Sequence, residues 1–175
     1  MQGEPPAAII ASVGGGGLFI GLQMGLERHG LSHVPVLAVE TEGAASLANA
    51  LKLGENLFFP KITSIATSLG ARKVADKCFE LGQRPNVRSV VLTDAQAALA
   101  CVQLANDERL IVEAACGVSV ACCYEGIIKQ TLPHLRKDDK VVVIVCGGSN
   151  VNLSMLVSYP QYPDSRLWFG SVVVY

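Results

Sequence analysis

Ala7-Ala8-Ile9-Ile10-Ala11-Ser12-Val13-Gly14-Gly15-Gly16-Gly17-Leu18 is a nearly unbroken run of small and apolar residues stopped by four glycines. A run without polar alternation suits a strand buried on both faces, and such strands belong to parallel sheets covered by helices on each side. Beyond the glycines, Leu18, Leu22, Gly25 and Leu26 recur at helical spacing, and Gly30 supplies a stop. Strand, glycine turn and helix in that order open a β-α-β unit.

The same alternation continues downstream. Residues 34–39 form a second apolar run ending at Glu40, followed by an Ala- and Leu-rich helical stretch over about 44–53. Residues 89–92 read as a strand, and Thr93 with Gln96 forms a capping-box start for a helix reaching about Ala105. A long helical pattern over about 113–131 ends before Pro133, and 140–146 is a β-branched strand that runs into Gly147-Gly148-Ser149-Asn150. The expectation is an α/β fold with a doubly wound, mostly parallel open sheet. Residues 1–156 are expected to form one incomplete domain. Residues 157–175 are expected to be a divergent tail, since Tyr159, Pro160, Tyr162, Pro163, Trp168 and Tyr175 shift its composition.

Half of the 175 residues are apolar, 17% are charged and the net charge is -1, which argues against disorder and against an electrostatic nucleic-acid binder. No apolar run reaches the roughly 18 residues of a membrane span, and no basic segment followed by an apolar core opens the chain. A soluble, cytoplasmic protein with a small-molecule or protein partner is expected. The six cysteines contain no C-x-x-C pair and are read as reduced thiols.

Gly14-Gly15-Gly16-Gly17, between a strand and a helix, offers unhindered backbone N–H groups at the positive end of a helix, the requirement for binding phosphate. A bare turn would need one glycine. The P-loop pattern fails because Gly16 and Gly21 are followed by Leu22, and G-x-G-x-x-G fails at Phe19 and Ile20. Glu40, at the end of the next strand, keeps a dinucleotide site as the weaker alternative. Cys146 closes an apolar strand where ligands of open α/β sheets bind, so it is open to two readings, buried core thiol or site residue. His29, His33 and His134 fall at helix ends or loops and support no Ser-His-Asp set.

Five ordered blocks carry a family resemblance: Ser12-Val13-Gly14-Gly15-Gly16-Gly17-Leu18, Ala38-Val39-Glu40-Thr41-Glu42-Gly43-Ala44, Lys61-Ile62-Thr63-Ser64-Ile65-Ala66, Val112-Glu113-Ala114-Ala115-Cys116-Gly117 and Val143-Ile144-Val145-Cys146-Gly147-Gly148-Ser149-Asn150. Over about residues 7–156 the chain resembles the carboxy-terminal, cofactor-holding part of L-serine/L-threonine dehydratases that depend on pyridoxal 5'-phosphate. The resemblance implies the large domain of a fold-type II, tryptophan-synthase-β-like enzyme. It implies that Gly14, Gly15, Gly16 and Gly17 hold the cofactor phosphate and that Cys146 faces the pyridine nitrogen. A thiol there supports a pyridinium less than an aspartate does, which favours β-elimination over transamination. The resemblance also implies a monovalent cation, potassium, bound by the Glu40 carboxylate and the carbonyls of Gly14, Ala44, Leu69 and Ala71; oxygen-only ligation suits a hard cation. Amino-acid substrates, pyruvate or 2-oxobutanoate with ammonia as products, and a homodimer complete what it implies.

Two family features have no match. The Schiff-base lysine of a Ser-Phe-Lys-x-Arg-Gly segment and an asparagine loop for the substrate carboxylate are not found in this sequence, and the seven lysines (Lys52, Lys61, Lys73, Lys77, Lys129, Lys137, Lys140) are read as surface residues. Ala114 stands where the family usually has proline, and the residues beyond about Leu156 depart from it. The chain as it stands is therefore expected to be inactive alone and poorly soluble, with a bare sheet edge and exposed apolar surface. The alternative is a non-catalytic short form that pairs with a full-length dehydratase.

Overall fold

The computed structural model describes residues 4–159 and, along the backbone, 172–174; Pro160, Tyr162, Pro163, Trp168 and Tyr175 of the divergent tail lie outside the described residues. Five parallel strands, β1 (Ala8–Ser12), β2 (Val36–Thr41), β3 (Val87–Leu92), β4 (Val141–Val143) and β5 (Val172–Val174), lie in the order β3-β2-β1-β4-β5. Ile9 stands opposite Val36 on one side and Val142 on the other, so β1 is central and its run of five buried residues follows. The fifth strand comes from the stretch beyond Leu156 and pairs with β4, Val141 opposite Val172.

Helices α1 (Gly17–Arg28), α2 (Ser46–Leu53) and α3 (Asp76–Gly82) cover one face, where Phe19, Leu26, Leu47, Cys78 and Leu81 pack on Ile9, Val13, Val36 and Ala38. Helices α4 (Asp94–Glu108) and α5 (Ala114–Tyr124) cover the other, packing on Ala8, Ile10, Leu37, Val39, Val90 and Leu92. Alternate residues of each strand thus serve two cores, and the sheet is doubly wound. Helices α6 (Ile127–Thr131) and α7 (Leu153–Ser158) join this second layer through Ile128 and Leu156.

Where the sequence pattern predicts one helix over 113–131, the structure has two. Gly126 takes φ 68, a left-handed turn that ends α5 and restarts the chain as α6. The apolar pattern runs on through such a break, since α5 is buried throughout and Ile127 and Ile128 continue it in α6. Helix α5 is buried along its whole length and Gly117 lets it lie on α4: a Cβ there would come 2.4 Å from both the Ala97 carbonyl oxygen and the Cys101 sulfur. Among the described residues no helix is long and apolar enough to cross a membrane.

Candidate active site at the switch point of the sheet

From β1 the chain winds outward to β2 and β3, then returns across the sheet to place β4 on the other flank of β1. The gap between β1 and β4 is the topological switch point, and the crevice beyond the carboxyl ends of those strands is where open α/β sheets bind ligands. Both sequence-predicted loops meet there. The tetraglycine turn follows β1 and Cys146 follows β4, whose ladder with β1 extends through the Ile144 N–H to the Ile10 carbonyl at 2.9 Å.

The glycines of the first loop differ in what holds them. A Cβ on Gly14 would press on the Ser68 carbonyl oxygen at 3.1 Å and the Leu69 Cα at 3.2 Å. Gly16 sits at φ 98, and a Cβ there would fall 2.5 Å from the Cβ and sulfur of Cys78. Both are therefore required by close packing beneath the loop. Gly15 and Gly17 are exposed, and Gly17 has nothing within 4 Å of its would-be Cβ. Among the described residues no side chain caps α1, and its first turn carries no acidic residue. Its amino end therefore offers free N–H groups and positive dipole to an outside anion.

At the end of β2, Glu40 is fully buried and its two carboxylate oxygens accept from the backbone N–H groups of Leu47, at 2.8 Å, and Ala48, at 2.7 Å, in the first turn of α2. Burial pushes its pKa from 4.5 up to about 7, against the lowering effect of those two bonds. Around it, the Ser46 hydroxyl donates to the Ala71 carbonyl, the Ala71 N–H donates to the Leu69 carbonyl at 2.8 Å, and Leu69 lies under Gly14. Leu69 and Ala71 thus lie on one segment of chain packed against Gly14 of the tetraglycine turn. Ala44 is buried and donates its N–H to the Thr41 carbonyl at 2.9 Å.

Cys146 is exposed, and the other five cysteines are buried. Its sulfur lies 3.6 Å from the Ser12 hydroxyl. The neighbouring Cys116 thiol, and Ser12 in the same direction, hold the Cys146 thiol down at about 6 against the effect of burial. Cys116 itself is pushed far upward by that pairing and by its burial.

Several residues that tie the crevice together lie far apart in the chain, and the sequence alone assigns them no contact with one another. The Asn150 side-chain amide donates to the Ser68 hydroxyl at 2.9 Å and the Asn150 N–H to the Glu113 carboxylate at 3.2 Å, linking the loop after β4 to the segment beneath Gly14. The Asp94 carboxylate accepts from the Ser64 hydroxyl and from the Ile65 N–H at 3.0 Å, while Ser64 bonds Thr41 at 2.7 Å. Thr93-Asp94 reads in sequence only as a helix start; that Asp94 also anchors residues 64–65 is a long-range fact. The lysines stand on the surface except Lys73, which is half-buried, with its ammonium 5.6 Å from the Phe58 ring centroid.

This architecture and crevice define a class, and comparison with known proteins names it: residues 1–147 match the model of the pyridoxal-phosphate dependent enzyme family, and the chain belongs to that family. It is 43% identical over 88% of its length to serine dehydratase-like of Mus musculus, and 42% identical over 87% of its length to L-serine dehydratase/L-threonine deaminase of Homo sapiens; in each case it spans 48% of the relative. Among solved structures, the crystal structure of a fungal L-serine ammonia-lyase from Rhizomucor miehei superposes with a TM-score of 0.86 at 41% identity, covering 89% of this chain and 50% of that one. The chain thus spans about half the length of the curated relatives it matches.

Proposed function

We propose that this chain is the cofactor-holding part of an L-serine/L-threonine dehydratase, a cytoplasmic, homodimeric lyase that converts L-serine to pyruvate and ammonia, and L-threonine to 2-oxobutanoate and ammonia. The observation that carries this is the meeting of an uncapped helix amino end on a tetraglycine turn with an exposed thiol across the switch point. A crevice with free N–H groups on one side and a soft neutral donor or thiolate on the other fits a phosphorylated pyridine. When bound, pyridoxal phosphate supplies the electron sink for the charge left on Cα as its proton departs.

The roles of the chain's own residues follow from their positions. The N–H groups at Gly14, Gly15, Gly16 and Gly17 are assigned to the phosphate, and Cys146, aimed by Ser12 and Cys116, to the pyridine nitrogen. Glu40 with the carbonyls of Gly14, Ala44, Leu69 and Ala71 is assigned to a potassium ion that braces the underside of the loop. A carboxylate oxygen accepting one N–H keeps lone pairs for a cation, so capping of α2 and cation binding are compatible. The elimination is assigned to the whole protein, because none of the seven lysines lies in the sequence surroundings of the family's Schiff-base lysine.

Equilibrium dialysis against pyridoxamine 5'-phosphate and pyridoxamine tests the cofactor assignment without an aldehyde that any lysine could trap. The phosphate ester should bind at least about tenfold more tightly, in line with a charge-assisted cradle. Equal affinity for the two would overturn the assignment. For the full-length protein, pyruvate release from L-serine, coupled to lactate dehydrogenase, tests the reaction.

A further inference from the structure

We propose that Cys146 and Cys116 form a peroxide-responsive dithiol, in which Cys146 is the thiol oxidised by a hydroperoxide and Cys116 resolves it into an intramolecular disulfide. The two segments that carry them lie backbone against backbone. The Glu113 N–H donates to the Gly147 carbonyl at 3.3 Å, and a Cβ on Gly148 would fall 2.5 Å from the Ile111 carbonyl oxygen. The Cys116 N–H donates to the Glu113 carbonyl at 2.9 Å, which fixes that cysteine in the first turn of α5, on the segment that lies against Gly147 and Gly148 next to Cys146. Cys146 is an exposed residue and Cys116 a fully buried one.

That division of labour is what oxidation of a thiol pair needs. The Cys146 thiolate, held by Ser12 and Cys116, attacks the distal peroxide oxygen; the O–O bond breaks, water or an alcohol leaves, and the sulfur becomes a sulfenic acid. The Cys116 sulfur then attacks that sulfur, losing its proton; the S–S bond forms and the hydroxyl leaves as water. The two sulfurs together give two electrons to the peroxide. Cys78, Cys101 and Cys123, pushed up to about 12 chiefly by burial, and Cys122, raised further by the same cause, have neither access nor thiolate to compete.

The dithiol itself does not depend on the cofactor assignment. Its consequence for catalysis does rest on that reading: closing the disulfide removes the sulfur offered to the pyridine nitrogen.

The test is non-reducing peptide mapping of the full chain after hydrogen peroxide, with free thiols alkylated first. The expected result is a Cys116–Cys146 peptide pair lighter by two hydrogens and split by dithiothreitol. Cys116→Ala should instead leave Cys146 as a sulfenic acid that dimedone captures, and its alkylation midpoint should rise towards the ordinary thiol range. A wild-type Cys146 that stays reduced, or that oxidises without joining Cys116, would overturn the proposal. Pyridoxamine phosphate binding by the reduced chain, measured in parallel, reports on the cofactor assignment alone, so the two failures are distinguishable.

Discussion

Two helices begin at the same edge of the sheet and end their local hydrogen-bonding problem in opposite ways. At α2 the unpaired N–H groups of the first turn are filled from within, by the carboxylate of the strand residue Glu40. At α1 no side chain among the described residues fills them: the cap position is Gly16 at φ 98, which has no side chain to offer. A third start, α4, is satisfied in the ordinary local way, by the reciprocal capping box of Thr93 and Gln96. A missing side-chain cap is shared by α3, α5 and α6, so what sets α1 apart is its start on a glycine run at the switch point of the sheet. At Gly16 the left-handed backbone and the Cys78 side chain leave no room for a capping serine or aspartate, and the dipole of α1 stays exposed.

The most severe way to break the comparison is to put a side chain at the uncapped end. Gly16→Val forces a β-branched residue into a left-handed backbone against Cys78, and should cost about 4 kcal/mol from strain and overpacking together, read by urea denaturation. At the filled end, the proton on Glu40 carries the signal. Its folded pKa of about 7 exceeds the unfolded 4.5, so the folded state retains the proton longer as pH rises. The stability Glu40 contributes is full below about 4.5 and is lost as pH climbs through about 7, a fall on the order of 3 kcal/mol. Denaturation midpoints from pH 5 to 8 in a tetramethylammonium buffer should show this fall, and Glu40→Gln should flatten it. Potassium in place of tetramethylammonium should flatten it in the wild-type chain, if the cation shares the carboxylate as proposed.

The locally capped helix gives a smaller effect. Thr93→Ala removes the hydroxyl that accepts from the Gln96 N–H, and should lower stability by about 1 kcal/mol. The smallest change in stability belongs to Gly17→Ala, which enters open space at the first residue of α1 and should stay within about 0.5 kcal/mol of wild type. The same variant should still weaken pyridoxamine phosphate binding severalfold in the dialysis assay, because the methyl group intrudes where the anion approaches. A Gly17→Ala chain that binds as well as wild type would separate the open helix end from the phosphate site.

Much of this was legible without coordinates. Periodicity alone gives the order of strands and helices, because an apolar run buried on both sides and a helix with one apolar stripe differ within a few residues. The capping box at Thr93 was legible for the same reason, being a four-residue pattern. The turn Thr67–Leu69 and helices α3 and α7 were not, since three to seven residues hold too little periodicity to stand out. The break at Gly126 was hidden too, because Ile127 and Ile128 continue the apolar character of α5 beyond it.

What the sequence determined by itself is whatever neighbouring residues decide among themselves: the strand-glycine-helix unit, the parallel class of the sheet, and the five blocks that mark the family. What only the tertiary structure decided depends on residues far apart in the chain. The order β3-β2-β1-β4-β5 makes the crevice between β1 and β4, and brings Ser12 and Cys116 to Cys146 across separations that no local pattern encodes. It also buries Glu40 under α2, turning a residue that in sequence is one acid at a strand end into a carboxyl that titrates near neutrality. Local propensity acts through nearest neighbours, but burial and the fields that shift a pKa are properties of the whole packed volume.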